Sequence, residues 1–544
     1  MNAADLLVRE LQARDVECIY TLCGNGLDPL FDATYRANMR VIDTRNEQAA
    51  AYMADAVGRL TRKLGVVAVS TGVAHINALT GVCNAWFDGS PMLLITGGSD
   101  SAYAGRGNFQ DMDSVGLARP LCKYSAWVDR PERLAWALDE AVRAAVTGRP
   151  GPVHLTIPTD VLRADAPAAD PNAGRPKSAT VEHTGEADET SLATAVQLIC
   201  AAERPFIIAG SGCFYADAAA ELAALAGQMS APVVVPIWDR GAIEQPIAEF
   251  VGVIGAASGQ PRIMPDADLI LVLGAEADYR IGYLEPPAIA ANARIIRCDV
   301  DPAKITQGVQ PDVCLLGDPR RVMSQLGEAL DAEGHQGHAG WLNEARRRDA
   351  DFRRAWTEMP PPESPACTGR HIIEGIRQAI TDDTFLLVDG GNIGQWFHMS
   401  MCDRYPGRWM TCGRSAVVGW GFPSAAAVRS IYPDEPILLL SGDGAATFTL
   451  AEIEAAARQD LPYVAIVADD SAWGIVVSGC LRREQPPVAC QLGPIDFAEV
   501  AEGFGARGVR VQDPSRLAAA IEEGFFSNQV TVIHVPVCHG GPAD

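Results

Sequence analysis

The sequence predicts an α/β protein built from three doubly wound parallel-sheet domains, and three observations carry that prediction. Short apolar runs alternate with helical patterns up to about residue 165, and the same alternation returns in two later stretches. Such βαβ repetition calls for parallel strands with helices on both faces of a sheet. Two stretches without apolar periodicity, 166 to about 190 (APAADPNAGRPKSATVEHTGEADET) and about 332 to 367, read as linkers between the units. A chain of 544 residues is also long enough for two to four domains with real cores. The expected domains are 1–165, 190–335 and 366–544.

Composition narrows the function. The chain is 48% hydrophobic and 21% charged, ordinary for a globular protein, and its formal net charge is −24. That balance argues against a nucleic-acid or anionic-membrane surface. Any anionic ligand must be held by metal and backbone N–H groups. The 14 cysteines are scattered, without a CxxC pair or a Cys/His cluster at zinc spacing, so reduced thiols in a cytoplasmic protein are expected. The amino-terminal segment carries Asp5 and Glu10, unlike a signal peptide, and no uncharged apolar run is long enough to span a bilayer.

In chain order, the first unit opens with a helical pattern over Ala3 to Asp15 and an apolar strand from Cys18 to Leu22, which ends in Cys23-Gly24-Asn25-Gly26. A helix near Asp28 to Arg36 and a strand at Arg40 to Asp43 follow. Thr44 to Gln48 then opens an Ala-rich helix that runs to Leu60. After the strand Gly65 to Ser70 comes the loop Thr71-Gly72-Val73-Ala74-His75-Ile76-Asn77, another helix, and the strand Pro91 to Thr96. Gly97 to Asp113 is Gly-rich and polar and reads as a loop over a site, and Pro152 to Ile157 is the closing strand. The second unit shows strands at Pro205 to Ile208, Pro232 to Val235, Leu269 to Leu273 and Arg294 to Cys298. The linker after it contains a charged helix, Trp341 to Trp356, and Pro360-Pro361-Pro362.

The third unit carries the stretch that organises the chain, Ile437 to Val476. It reads as a buried strand, a Gly442-Asp443-Gly444 turn, an amphipathic helix (Leu450 to Arg458), a second strand (Tyr463 to Val467) and a second acidic turn, Asp469-Asp470. Both turns then fall at the carboxyl ends of neighbouring parallel strands, where open α/β sheets bind ligands. The glycines let the backbone approach a ligand, and the helix start after Gly444 offers free N–H groups to an anion. Asp443 and Asp470 can share one hard cation. A cation with few protein ligands beside an anion site suggests Mg²⁺ carrying a diphosphate.

On these residues the stretch resembles the cofactor-anchoring motif of thiamine-diphosphate (ThDP) enzymes of the acetolactate synthase and 2-oxo acid decarboxylase superfamily. In that family a Gly-Asp-Gly is followed 25 to 30 residues later by an Asn pair. The resemblance implies Asp443, Asp470 and the carbonyl of Ala472 as metal ligands, with Asp469-Asp470 departing from the usual Asn-Asn. It implies diphosphate contacts at Gly391 and Asn392, and a carbonyl at Ala416 that accepts the cofactor's 4′-amino proton. Val418 becomes the apolar wedge beneath the cofactor. Glu47, in an Arg-x-Glu, becomes the acid that bonds the aminopyrimidine ring and promotes the tautomer that takes the C2 proton. Gly24, Asn25, Gly72, Asn77, Gly442, Gly444, Ala445 and Trp473 are carried over as further cofactor positions, and His75 and Gln110 as catalytic candidates at the substrate pocket.

The implied reaction is decarboxylation of a 2-oxo acid and transfer of the acyl-anion equivalent to a second carbonyl. Three alternatives stand beside it: an oxalyl-CoA or 2-hydroxyacyl-CoA lyase, suggested by Arg119 to Lys123; a flavin-dependent 2-oxo acid oxidase; and a catalytically silent homologue. Segments Gly274 to Arg280 and Ile296 to Asp301 stand where some family members hold FAD and others ADP, but the match to an FAD contact set is poor and a purely structural central domain is expected. The family builds its active sites between the first domain of one subunit and the third of another, so a homodimer or homotetramer is expected.

Overall fold

The computed structural model describes residues 1–166, 185–240, 247–255, 263–358, 367–401 and 407–538. Most of the first expected linker, Pro360-Pro361-Pro362 and residue 366, the expected start of the third domain, lie outside them. The described chain forms three six-stranded sheets, and every strand pair in them is parallel. The three-domain doubly wound α/β architecture predicted from sequence is therefore the one observed.

The first sheet contains β1 (Cys18–Thr21), β2 (Arg40–Asp43), β3 (Gly65–Val69), β4 (Met92–Gly98), β5 (Tyr124–Trp127) and β6 (Pro152–Pro158), in the order β2-β1-β3-β4-β6-β5. Its central strands β3, β4 and β6 are buried at every residue, which is why they read as unbroken apolar runs. The second sheet contains β7 (Pro205–Ala209), β8 (Val233–Pro236), β9 (Phe250–Ile254), β10 (Leu269–Leu273), β11 (Arg294–Asp299) and β12 (Val313–Leu316), ordered β12-β11-β10-β7-β8-β9. The third contains β13 (Phe385–Asp389), β14 (Trp409–Thr411), β15 (Ile437–Gly442), β16 (Val464–Asp469), β17 (Arg507–Arg510) and β18 (Thr531–Pro536), ordered β14-β13-β15-β16-β18-β17. Strand order reverses between β13 and β15, and that switch point opens a crevice at the carboxyl ends of the strands.

The first and third units share one core. Helix Glu47–Thr61 lies against helix Gly421–Ile431, burying Ala50, Tyr52 and Met53 with Trp420, Phe422 and Ala426. The central unit is tied to both by Arg240, whose guanidinium donates to the carbonyl of Arg59 at 3.1 Å and to that of Trp409 at 2.9 Å. One departure from the sequence reading concerns the second linker. Its charged helix, Ala339–Thr357, packs on the central unit: Trp341 is buried with its indole N–H on the Pro205 carbonyl at 2.9 Å, and Ala345 is fully buried. Trp341 and Ala345 fall four apart on one face, so the helix buries a narrow apolar stripe and solvates the rest.

Candidate active site

The crevice of the third sheet gathers the residues that the sequence had spread over eighty positions. Strands β13, β15 and β16 are neighbours, so the turns after them, Gly390–Asn392, Gly442–Ala445 and Asp470–Trp473, meet at one edge. Together with Ala416 and Val418 they line a cavity of about 240 Å³. Gly391, Asn392, Ala416, Val418, Gly442, Gly444, Ala445 and Trp473 all face it, as do Asp443, Asp470 and Ala472. A five-residue helix starts at Asp443, directly after the strand, and its first three residues line the cavity.

Two local details shape this cavity. A Cβ at Gly444 would stand 2.7 Å from the Trp473 ring, so the missing side chain is what lets the indole close over the turn. Ala416 is held at φ +53°, a left-handed conformation that is costly for a residue with a Cβ, by about 1–2 kcal/mol. The turn that strains it is pinned from below by Asp389, which is fully buried at the end of β13 and accepts the Gly421 N–H at 2.8 Å as well as bonds from Gly419 and Trp420. Burial pushes the Asp389 carboxyl up to about 7.

The acidic turns carry distinct roles. Asp443 is 4% exposed, and it accepts the Gly444 N–H at 2.8 Å on one oxygen and the Ala472 N–H at 3.2 Å on the other. Burial first, and then the nearby Asp470 and Asp469 charges, push it up to about 7. Asp470 accepts the Asn392 amide at 3.1 Å, within the same cavity. Asp469 meets His534 Nε2 at 2.9 Å, Ser471 and the Asp443 side chain; burial opposes its ionisation, but these bonds hold its carboxyl below the usual range. Two neighbouring carboxyl groups, one of them buried and hard to ionise, form a hard-oxygen donor set that suits a small divalent cation. Among the described residues no group of three or more His, Cys, Asp or Glu side chains is placed to hold a metal, so a cation here also needs oxygens from its ligand. The donor set and the glycine-lined helix start fit a metal-bound diphosphate.

The first sheet brings together a second group. Glu47 is the first residue of its helix, and its carboxylate accepts the Asn77 amide at 3.1 Å. Gln110 packs directly on Gly72, which stands at φ +65° where a side chain would be strained, and Thr71 Oγ1 donates to the Gln110 carbonyl at 3.3 Å. Gly24 lies against Ser70, whose hydroxyl donates to the Asn25 carbonyl at 2.8 Å. None of these first-domain residues lines the third-sheet cavity, to which the central unit adds Trp238.

His75 departs from the expectation of a catalytic contact. It is fully buried, with Nδ1 at 2.8 Å from Thr96 Oγ1, and Thr96 in turn meets His154 at 3.1 Å. The two imidazole rings lie 4.8 Å apart, and burial pushes the His75 pKa down to about 4. The imidazole thus sits in a buried Thr–His network and lines neither of the two cavities. Sequence reasoning also passed over Asp389, His534 and Glu452, since each acts through a contact distant in the chain.

A larger cavity, about 490 Å³, lies among all three units. It takes in Gly274, Glu276, Asp299 and Val300 from the two segments singled out in the central unit, and it is ringed by Arg62, Arg149, Lys304, Arg320 and Arg321. Glu276 is engaged by Arg414 at 2.5 Å and by Arg149 and Lys304.

Three sequence profiles match the chain in order: the thiamine pyrophosphate enzyme N-terminal TPP binding domain over residues 1–117, the central domain over 192–326 and the C-terminal TPP binding domain over 389–535. Among characterised relatives, the chain is 26% identical to a probable acetolactate synthase large subunit of Methanocaldococcus jannaschii, covering 99% of this chain and 92% of that protein. It is 28% identical to the acetolactate synthase isozyme 1 large subunit of Escherichia coli K12, over 98% and 94% of the two chains. It is 27% identical to 2-hydroxyacyl-CoA lyase 2 of Caenorhabditis elegans, over 94% and 85%.

Proposed function

Since the chain belongs to the thiamine pyrophosphate enzyme family, with all three of its domains matched in order, we propose that it decarboxylates a 2-oxo acid and transfers the acyl unit to a second carbonyl, as an acetolactate synthase-like carboligase. The observation that carries this reading is the convergence of eleven third-domain positions, picked out by motif alone, on one acid- and glycine-lined cavity. When bound, ThDP supplies an acidic thiazolium carbon that adds to the 2-oxo carbonyl. Asp443, Asp470 and the Ala472 carbonyl would hold Mg²⁺, and Gly391, Asn392 and the helix start at Asp443 would hold the diphosphate. Val418 would prop the cofactor from below, and the Ala416 carbonyl would accept its amino proton.

Glu47 has the part of proton mover at the aminopyrimidine ring. It stands at a helix start, and the Asn77 amide fixes its direction. Because the cavity draws no wall from the first domain of its own chain, Glu47 would reach the cofactor of a partner subunit in a homodimer or homotetramer. All thirteen cysteines described are free, and no described helix is long and apolar enough to cross a membrane.

The test is CO₂ release from a panel of 2-oxo acids with ThDP and Mg²⁺, comparing wild type with Glu47→Gln. The reading expects release from at least one acid and a loss of about tenfold or more in the variant. Absence of release from every acid overturns it. A second reading, cleavage of a 2-hydroxyacyl-CoA, draws on the 490 Å³ cavity, whose lining mixes arginines and lysines with acids, and on the likeness to the C. elegans lyase. The Arg119 to Lys123 segment lends it little, because Lys123 is spent on the carbonyls of Thr147 and Arg149 at 2.5 and 2.7 Å. Release of formyl-CoA or an aldehyde from CoA thioesters, without turnover of free 2-oxo acids, would select that second reading.

A further inference from the structure

We propose that Glu452 is a positioning residue for Glu47: from the third domain it holds the turn that aims the Glu47 carboxylate, within the same chain. This inference rests on the ThDP reading above and adds to it a residue that no motif marks.

Glu452 opens helix Glu452–Arg458 and is 1% exposed. Its two carboxyl oxygens accept the Arg45 N–H at 3.0 and 3.2 Å, and the Asn46 N–H also bonds to it. Asn46 is the cap of the helix that begins at Glu47, its side chain accepting the Gln48 N–H at 2.8 Å. The two residues immediately before Glu47 therefore take their orientation from a side chain 407 positions beyond Arg45. A wider clamp surrounds the contact: Arg45 Nε donates to Glu454 at 2.7 Å, Arg458 pairs with Asp43 at 2.7 Å, and Gln459 exchanges two hydrogen bonds with the Asp43 backbone. Those outer pairs are partly exposed and screened, so each contributes little. Glu452 is buried, and removing it strands two backbone donors without water.

The other end of the device reaches the cofactor cavity. The Glu452 N–H donates to the Thr449 carbonyl at 3.0 Å, and Thr449 Oγ1 donates to the Gly419 carbonyl at 2.9 Å, next to the Val418 wedge. One short hydrogen-bonded path thus sets the floor of one cofactor site and the proton-handling acid of the other half-site.

The experiment measures hydrogen–deuterium exchange at C2 of protein-bound ThDP by acid quench and NMR, alongside ThDP–Mg²⁺ affinity by tryptophan fluorescence and thermal stability. A misaimed acid slows exchange while the diphosphate cavity stays whole, so Glu452→Ala is expected to lose about tenfold or more in exchange rate with ThDP affinity within about threefold of wild type. Glu452→Gln, which keeps an acceptor oxygen for Arg45, is expected to retain most of the rate. If Glu452→Ala does not fold, Glu452→Asp carries the same test, because its shorter side chain withdraws the acceptor without emptying the site. Exchange at the wild-type rate in the folded Ala or Asp variant overturns the inference, as does a loss matched by an equal loss of ThDP affinity. Glu47→Gln separates the two readings: if it slows exchange and the Glu452 variants do not, only this inference fails. If the wild type does not accelerate exchange at all, the ThDP reading fails with it.

Discussion

The side-chain amide of Asn392 donates to Asp470 Oδ2 at 3.1 Å, a bond that reaches from the end of β13 across β15 to the end of β16. Gly474 makes room for it, since a Cβ there would collide with both partners. Asp470 thereby brings to the cavity an acid group, able to carry a negative charge, at a position the family usually fills with a neutral amide.

That charge should show in metal dependence. Asp470→Asn is expected to raise the Mg²⁺ concentration for half-maximal ThDP binding by about tenfold, or ~1.4 kcal/mol, while the wild type releases ThDP when Mg²⁺ is chelated with EDTA. Quenching of Trp473, which lines the cavity, gives the readout. Retention of ThDP by the chelated wild type would contradict the assignment.

The buried imidazole pair predicts a quiet phenotype. General acid–base groups contribute about 10²–10⁴ in rate, so a His75 that contacted substrate would be costly to lose. His75→Gln is instead expected to keep CO₂ release within about threefold, with its effect confined to thermal stability through the Thr96 and His154 bonds. A hundredfold loss at unchanged melting temperature would restore a catalytic role.

Asp389 predicts a pH signature. Its folded pKa, about 7, stands above the ordinary 3.8, so the folded protein binds the extra proton between those values. Stability from this group is therefore greatest below about pH 4 and is lost as pH rises through 7. Asp389→Asn, which cannot ionise, should have a flatter melting temperature between pH 4.5 and 7.5 than the wild type. Parallel curves would show that Asp389 does not titrate in that window.

Arg240 predicts how the molecule comes apart. Its guanidinium is buried and satisfies carbonyls from the first and third units, and burial beside Arg59 pushes its pKa down to about 10. Arg240→Ala leaves both carbonyls unpaired, at a cost of about 2–5 kcal/mol. The expected calorimetric result is an early, separate transition for the central unit. A single transition shifted as a whole would mean that the three units remain one cooperative body.

The sequence was most legible where burial is symmetric. Strands β3, β4, β10 and β15 are covered on both faces and appear as plain apolar runs. Edge strands such as β5 (YSAW) and β17 (RGVR) are half-covered and carry no such run, and β14 is three residues long. The third-domain half of the site was legible because glycine turns at strand ends have few other uses in such spacing. Glu452 was not, because an acid on an amphipathic helix looks solvated until the distant Arg45 turn is folded onto it. The burial of His75 was hidden for a related reason: its place in a glycine loop pointed to the surface, while the fold turned the ring inward.

A cavity that draws no wall from its own first domain has a genetic consequence. Each chain carries two halves of a site that need not serve each other, so two different lesions can be repaired by mixing. Glu47→Gln and Asp443→Ala chains, each inactive alone, should form mixed dimers in which one of the two sites receives only intact halves, restoring about a quarter of wild-type activity at equal proportions. By the same count, wild-type chains mixed with an excess of either single lesion should keep one working site per wild-type chain, so neither defect would behave as dominant.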